Sequence, residues 1–178
     1  MPQPVFLIGM PGSGKSTVGR LLAREAQRSF IDCDREVEAR SGVSIATIFE
    51  LEGEAGFRKR ETAVLDELTQ RPDVVLATGG GAVLAETNRT YLKTRGLVIY
   101  LQASTDELVR RTAGDKARPL LAGDDPRGRL LELLAVRQPL YEATAHLSFH
   151  SGTANPRRLV KRILEHPLVQ SALQSPAA

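Results

Sequence analysis

Tryptophan is absent and all aromatics together make up only 4% of the 178 residues, so a core has to be built from Leu, Val, Ile and Ala. The single cysteine, Cys33, excludes an internal disulfide and suits a reducing compartment. No window holds the roughly 18 consecutive apolar residues of a membrane span, and no basic segment followed by an apolar one gives the N-terminus the look of a secretory leader. Internal repeats and low-complexity blocks are missing as well. So is a basic stripe: the net charge of +3 comes from scattered Lys and Arg without interleaved aromatics. That pattern argues against a nucleic-acid surface and suits a site for small anions. The expectation is a soluble cytoplasmic chain with neither a membrane nor a nucleic-acid partner. Hydrophobic residues reach 42%, enough for one core at this length, so 1–178 read as a single domain.

What is present alternates short apolar runs with longer amphipathic stretches. Pro4 to Gly9, Phe30 to Asp32, Val74 to Ala77, Leu97 to Leu101 and His146 to His150 read as strands. Lys15 to Gln27 reads as a helix with Val18, Leu21, Leu22 and Ala26 on one side, and about 34–68 as two or three further helices. Strands alternating with helices imply an α/β fold, a parallel sheet with helices on both faces. Residues 113–128 are rich in Gly, Pro and charge and read as a mobile lid; the tail after Pro167 shows no partner and reads as frayed.

Gly9-Met10-Pro11-Gly12-Ser13-Gly14-Lys15-Ser16 follows a strand and opens a helix, the context in which G-x-x-x-x-G-K-[ST] cradles phosphates. Gly12 and Gly14, flanking Ser13, allow backbone conformations that bring N–H groups against phosphate oxygens. The helix start adds its positive dipole end. Lys15 supplies a point charge for the β- and γ-phosphates, Ser16 a hydroxyl for Mg²⁺, and Thr17 another for phosphate. The strand Val74 to Ala77 carries no carboxylate; Asp32 and Asp34 stand at the end of the second strand instead. Two apart in an extended segment, both can face the crevice at the strand ends. One would hold a Mg²⁺-bound water and the other would orient an acceptor hydroxyl, with Asp34 alternatively a helix cap.

The order G-M-P-G-S-G-K-S-T-V-G-R (Gly9 to Arg20), D-C-D (Asp32 to Asp34), F-R (Phe57-Arg58), G-G-G-A (Gly79 to Ala82), R-P-L-L (Arg118 to Leu121) and R-Q-P-L-Y (Arg137 to Tyr141) resembles the shikimate kinase family from about Val5 to Leu164. The resemblance implies a three-layer α/β/α P-loop fold of the nucleoside monophosphate kinase type, with five parallel strands in the order 2-3-1-4-5. It implies a monomer that transfers the ATP γ-phosphate to the 3-hydroxyl of shikimate, a step in aromatic amino acid biosynthesis. On it Asp32 falls near the metal, Asp34 and Gly80 at the substrate, Arg58 and Arg137 on the substrate carboxylate, and Arg118 of the lid on the ATP phosphates.

The residue types fit those roles. Guanidinium forks match a planar carboxylate, glycines after a strand allow close approach, and a lid cation would meet developing charge. For adenine the resemblance points to Arg110 and Pro156, though Arg110 reads equally as a solvated helix residue. Where many relatives carry a polar or basic residue before Asn155-Pro156, this chain has Ala154. Phe49 and Phe57 suit either the substrate pocket or the core. His146 and His150 lack metal-ligand spacing. Two competing readings remain: a kinase for another acceptor, such as gluconate or a nucleoside monophosphate, and a nucleotide-dependent switch.

Overall fold

In the computed structural model, which describes residues 2–115, 118–152 and 155–174, the elements run β1 (Val5–Ile8), α1 (Lys15–Glu25), β2 (Ser29–Asp32), α2 (Cys33–Ser41), α3 (Ile45–Leu68), β3 (Val74–Ala77), α4 (Glu86–Arg95), β4 (Leu97–Gln102), α5 (Thr105–Thr112), α6 (Pro126–Thr144), β5 (Leu147–His150), α7 (Pro156–Leu164) and α8 (Pro167–Leu173). The strands form one parallel sheet in the order β2-β3-β1-β4-β5. Alternation along β1 accounts for the three layers. Val5 and Leu7 pack with Val18 and Leu22 of α1 and Leu159 of α7 on one face, while Phe6 and Ile8 pack with Val37, Leu65 and Leu92 on the other. All four β1 residues are fully buried, each worth about 1.5–3 kcal/mol of transfer free energy. The central strands β1 and β3 are buried throughout; the edge strands β2 and β5 are half-exposed.

Local sequence chooses where helices begin. Asp32 caps α2, its carboxylate accepting from the N–H groups of Asp34 and Arg35; Ser44 caps α3, and Ser104 with Glu107 forms a capping box on α5. Within α3, Gly53 has φ 71°, so the element is two helices meeting at a kink. The helical region expected over 34–68 is therefore α2 plus this broken α3.

Two boundaries differ from expectation. Asp125 caps and Pro126 opens α6, so the irregular segment ends at residue 125 rather than 128. In place of a frayed tail, 167–173 form α8, with Val169 and Ala172 buried and Arg28 donating to the carbonyls of Ala172 at 3.1 Å and Leu173 at 3.0 Å. Seven residues are too few for periodicity to show such a partner. Among the described residues no helix is long and apolar enough to cross a membrane.

The chain leaves β1 toward β2 on one side of the sheet, and β4 joins β1 on the other. The crevice at the carboxyl ends of these central strands is where open α/β sheets bind ligands.

Candidate active site

The loop after β1 is shaped by three glycines at positive φ, Gly9 at 149°, Gly12 at 84° and Gly14 at 93°. Gly14 is also the N-cap of α1 and carries no side chain to satisfy the first N–H groups, which are left for an anion. Ser13 is fully buried at the turn. Lys15 is buried too, and its Nζ donates to the carbonyls of Gly9 at 2.8 Å and Met10 at 2.9 Å. Burial pushes its pKa down to about 8, with Arg118 and Arg137 adding to the drop and Asp34 and Asp32 opposing it.

A cleft of about 540 Å³ opens over this loop; Gly12, Gly14, Lys15, Ser16, Thr17 and Arg118 line it together with Asp32 and Asp34. A smaller one, about 90 Å³, continues from it between Arg58, Gly80, Phe49 and Phe57. Asp34, Gly80 and Arg118 belong to both walls. A third, about 180 Å³, lies beyond Thr17 against Pro156.

Asp32 and Asp34 do meet at the cleft, but not as neighbours in an extended strand. Asp32 is the cap and Asp34 already lies in the first turn of α2, so the capping role considered for Asp34 belongs to Asp32. Asp32 uses Oδ1 for the cap and accepts from Ser16 Oγ through Oδ2 at 2.5 Å. Two hard oxygens side by side on the cleft wall fit Mg²⁺, which takes one or two protein oxygens and fills the rest with phosphate and water. Among the described residues no group of three or more His, Cys, Asp or Glu side chains is arranged around a common metal position.

Asp34 Oδ1 is buried and has no hydrogen-bond partner among the described residues. Burial raises its pKa, as does the Asp32 charge, against the pull of Lys15, Arg58 and Arg118. Glu61, which sequence reasoning missed, is fully buried beside it: Oε1 accepts from Arg58 Nη1 at 2.9 Å, and Oε2 is also unpartnered among the described residues. Burial raises the Glu61 pKa as well. A Cβ on Gly79 would lie 2.6 Å from Glu61 Oε2 and 2.7 Å from Asp34 Oδ1, so both carboxylates crowd a spot that only glycine leaves open. The signal for Glu61 was an acid at i+3 from Arg58 on the helix face that carries Val64, Leu65 and Leu68.

Arg58 is held by Glu54 and Glu61 and lies over the Phe57 ring, 5.1 Å from its centroid. Phe49 and Phe57 pack as a tilted pair, centroids 5.1 Å apart, and serve both roles considered for them, lining the small cleft and packing in the core. Arg137 is buried behind Gly80, its Nη1 3.2 Å from where a Gly80 Cβ would be. Arg118 pairs with Asp115 at 2.7 Å and leaves a buried Nη1 without a hydrogen-bond partner among the described residues.

Of the two adenine candidates, Pro156 lines the third cleft, but Arg110 is exposed on α5. The adjacent Arg111 is exposed as well but reaches the phosphate loop, lining the first and third clefts and donating to the carbonyls of Gly12 at 3.1 Å, Ser151 at 2.9 Å and Gly152 at 2.8 Å. Helical phase separates them: Arg111 lies three residues after the buried Leu108. Ala154 lies outside the described residues.

A family model described as shikimate kinase matches residues 11–167. The shikimate kinase of Bordetella avium is 58% identical over 161 residues, covering 90% of this chain and 77% of its own. That of Nitrosospira multiformis is 54% identical over 167 residues, covering 94% and 86%. A solved structure described as shikimate kinase from Acinetobacter baumannii in complex with shikimate matches with a TM-score of 0.93 at 46% identity, covering 96% of this chain and 94% of that one.

Proposed function

The chain belongs to the shikimate kinase family, and from that premise we propose how its own residues divide the work of phosphorylating shikimate with ATP. The reaction serves aromatic biosynthesis. The observation that carries the reading is the buried Asp34 Oδ1, without a hydrogen-bond partner among the described residues, at the junction of the two clefts, with Lys15 on one side and the Arg58 pocket on the other.

In this reading the large cleft takes the triphosphate. The N–H groups of the loop from Gly12 to Thr17 and the start of α1 hold its oxygens. Lys15 moves from the Gly9 and Met10 carbonyls onto the β- and γ-phosphates. Arg111 and Pro156, rather than Arg110, flank the base beyond Thr17. Ser16 and Asp32, the latter through water, would hold Mg²⁺, which when bound neutralises phosphate charge.

Shikimate then occupies the small cleft, its carboxylate on Arg58 and Arg137 and its ring beside Gly80. Asp34 accepts a hydrogen bond from the 3-hydroxyl and orients the oxygen toward the γ-phosphorus. As the new O–P bond forms, the bond from the γ-phosphorus to the bridging oxygen of ADP breaks, and the hydroxyl proton passes to Asp34 Oδ1. The loose transition state asks chiefly for alignment and charge neutralisation, which Lys15 and Arg118 provide. On this reading the enzyme acts as a monomer in the cytoplasm.

The direct test is ADP release measured with shikimate, gluconate, AMP or no acceptor. Shikimate alone should stimulate release strongly. Stimulation by another acceptor and not by shikimate would overturn the assignment, and equal release without any acceptor would favour a nucleotide switch.

Arg118 supplies a second test. Its buried Nη1, without a hydrogen-bond partner among the described residues, and its place on both walls suit a cation that acts on charge developing between donor and acceptor. Arg118→Ala should lower kcat about 100-fold while changing ATP Kd far less. Equal losses in kcat and ATP affinity would reduce Arg118 to a binding residue.

A further inference from the structure

Tyr141 closes the R-Q-P-L-Y segment and has no part in the scheme above, yet it is fully buried directly behind the acceptor cleft. A buried phenol needs partners for its hydroxyl. Tyr141 Oη donates to the Gly80 carbonyl at 2.5 Å. On the same face of α6, one turn earlier, Arg137 places its guanidinium charge near this hydroxyl. The ring is held independently, stacked on Tyr100 at 5.0 Å between centroids.

The glycine triplet has no side chains with which to fix its own backbone, so its conformation depends on what holds its carbonyls. The Gly79 carbonyl accepts from Ala82 N at 3.1 Å, and the Gly81 carbonyl accepts from Leu84 N at 3.1 Å. The middle carbonyl, that of Gly80, is held by Tyr141. A peptide unit is planar, so anchoring this C=O also sets the direction of the Gly81 N–H.

We propose that Tyr141 is a positioning residue for the acceptor site, its hydroxyl fixing the Gly80–Gly81 peptide while steadying Arg137, so that backbone and guanidinium meet the substrate as one preformed surface. The inference rests on the reading that Gly80 and Arg137 hold shikimate. Burial raises the Tyr141 pKa, which keeps the phenol protonated as a donor. Preorganisation of this kind lowers the cost of ordering the site on binding.

The test is Tyr141→Phe, which keeps the ring and its stacking, alongside Tyr100→Phe, which removes a hydroxyl from the same stack but not from Gly80. In Tyr141→Phe, kcat/KM for shikimate should fall about 10-fold, mainly through KM, with ATP KM within about two-fold of wild type. Tyr100→Phe should leave both KM values within that margin. KM does not depend on how much of a preparation is folded, so the comparison survives a loss of stability when assayed below the melting midpoint. An unchanged shikimate KM in Tyr141→Phe, or equal rises for both substrates, would overturn the positioning role. Arg137→Ala separates this from the reading beneath it. If Arg137→Ala raises shikimate KM and Tyr141→Phe does not, only the Tyr141 proposal falls; if neither does, the acceptor-site reading falls with it.

Discussion

Replacing Lys15 with Met should lower kcat by about 1,000-fold or more, the scale on which phosphoryl transfer depends on a preorganised cation. Met keeps most of the apolar stem and removes only the charge. The lysine is buried and, before ATP binds, held by two loop carbonyls, so its charge waits beside the phosphate cradle with little water to reorganise. Lys15→Arg should not restore the rate, because a planar fork cannot occupy a pocket built for a compact ammonium. The same burial adds a pH signature. With its pKa pushed down to about 8, free Lys15 loses its proton as pH rises through that value. In wild type, kcat/KM for ATP should therefore fall above about pH 8, and Lys15→Met should lack that limb. A near-normal kcat in Lys15→Met would remove the residue from the chemistry.

The parts of the molecule legible in the sequence were those where one local pattern decides the outcome. Apolar runs such as Val74 to Ala77 could only be buried strands, and the P-loop between β1 and α1 required its positive-φ glycines. Motif order carried the sheet topology, which no single run reveals. The remainder depended on helical phase or on contacts distant in sequence. Asp32 and Asp34 arrive at the cleft because α2 starts one residue earlier than an extended reading allows, so one aspartate caps the helix and the other projects from its first turn. Arg110 and Arg111 are identical in type, and only their angle to Leu108 around α5 distinguishes them. Glu61 reads as a surface acid until Arg58 and Asp34 are seen beside it. The fate of the tail turned on Arg28, far away in sequence, which holds the carbonyls at the end of α8.

Asp34→Asn should lower kcat by about 100- to 10,000-fold, the range for loss of a positioned proton acceptor, with ATP affinity little changed. The amide has the shape of the carboxylate, so packing over Gly79 is preserved, but it cannot take the hydroxyl proton. The pH profile gives the stronger discrimination. Burial raises the Asp34 pKa, so its protonation should produce an acid limb in the wild-type kcat/KM for shikimate above the ordinary carboxylate range. The limb falls as pH is lowered, because the carboxylate is the working form, and it should vanish in Asp34→Asn. Removing Asp34 also acts on Lys15, since burial is what lowers the lysine and the Asp34 charge is the first influence opposing it. The alkaline limb should therefore move below its wild-type position in the same variant. Loss of the acid limb together with a downward shift of the alkaline one would tie both residues to a single charge system. An unchanged kcat, or an acid limb that persists in Asp34→Asn, would assign proton acceptance to another group, and the buried Oε2 of Glu61 would be the next to replace.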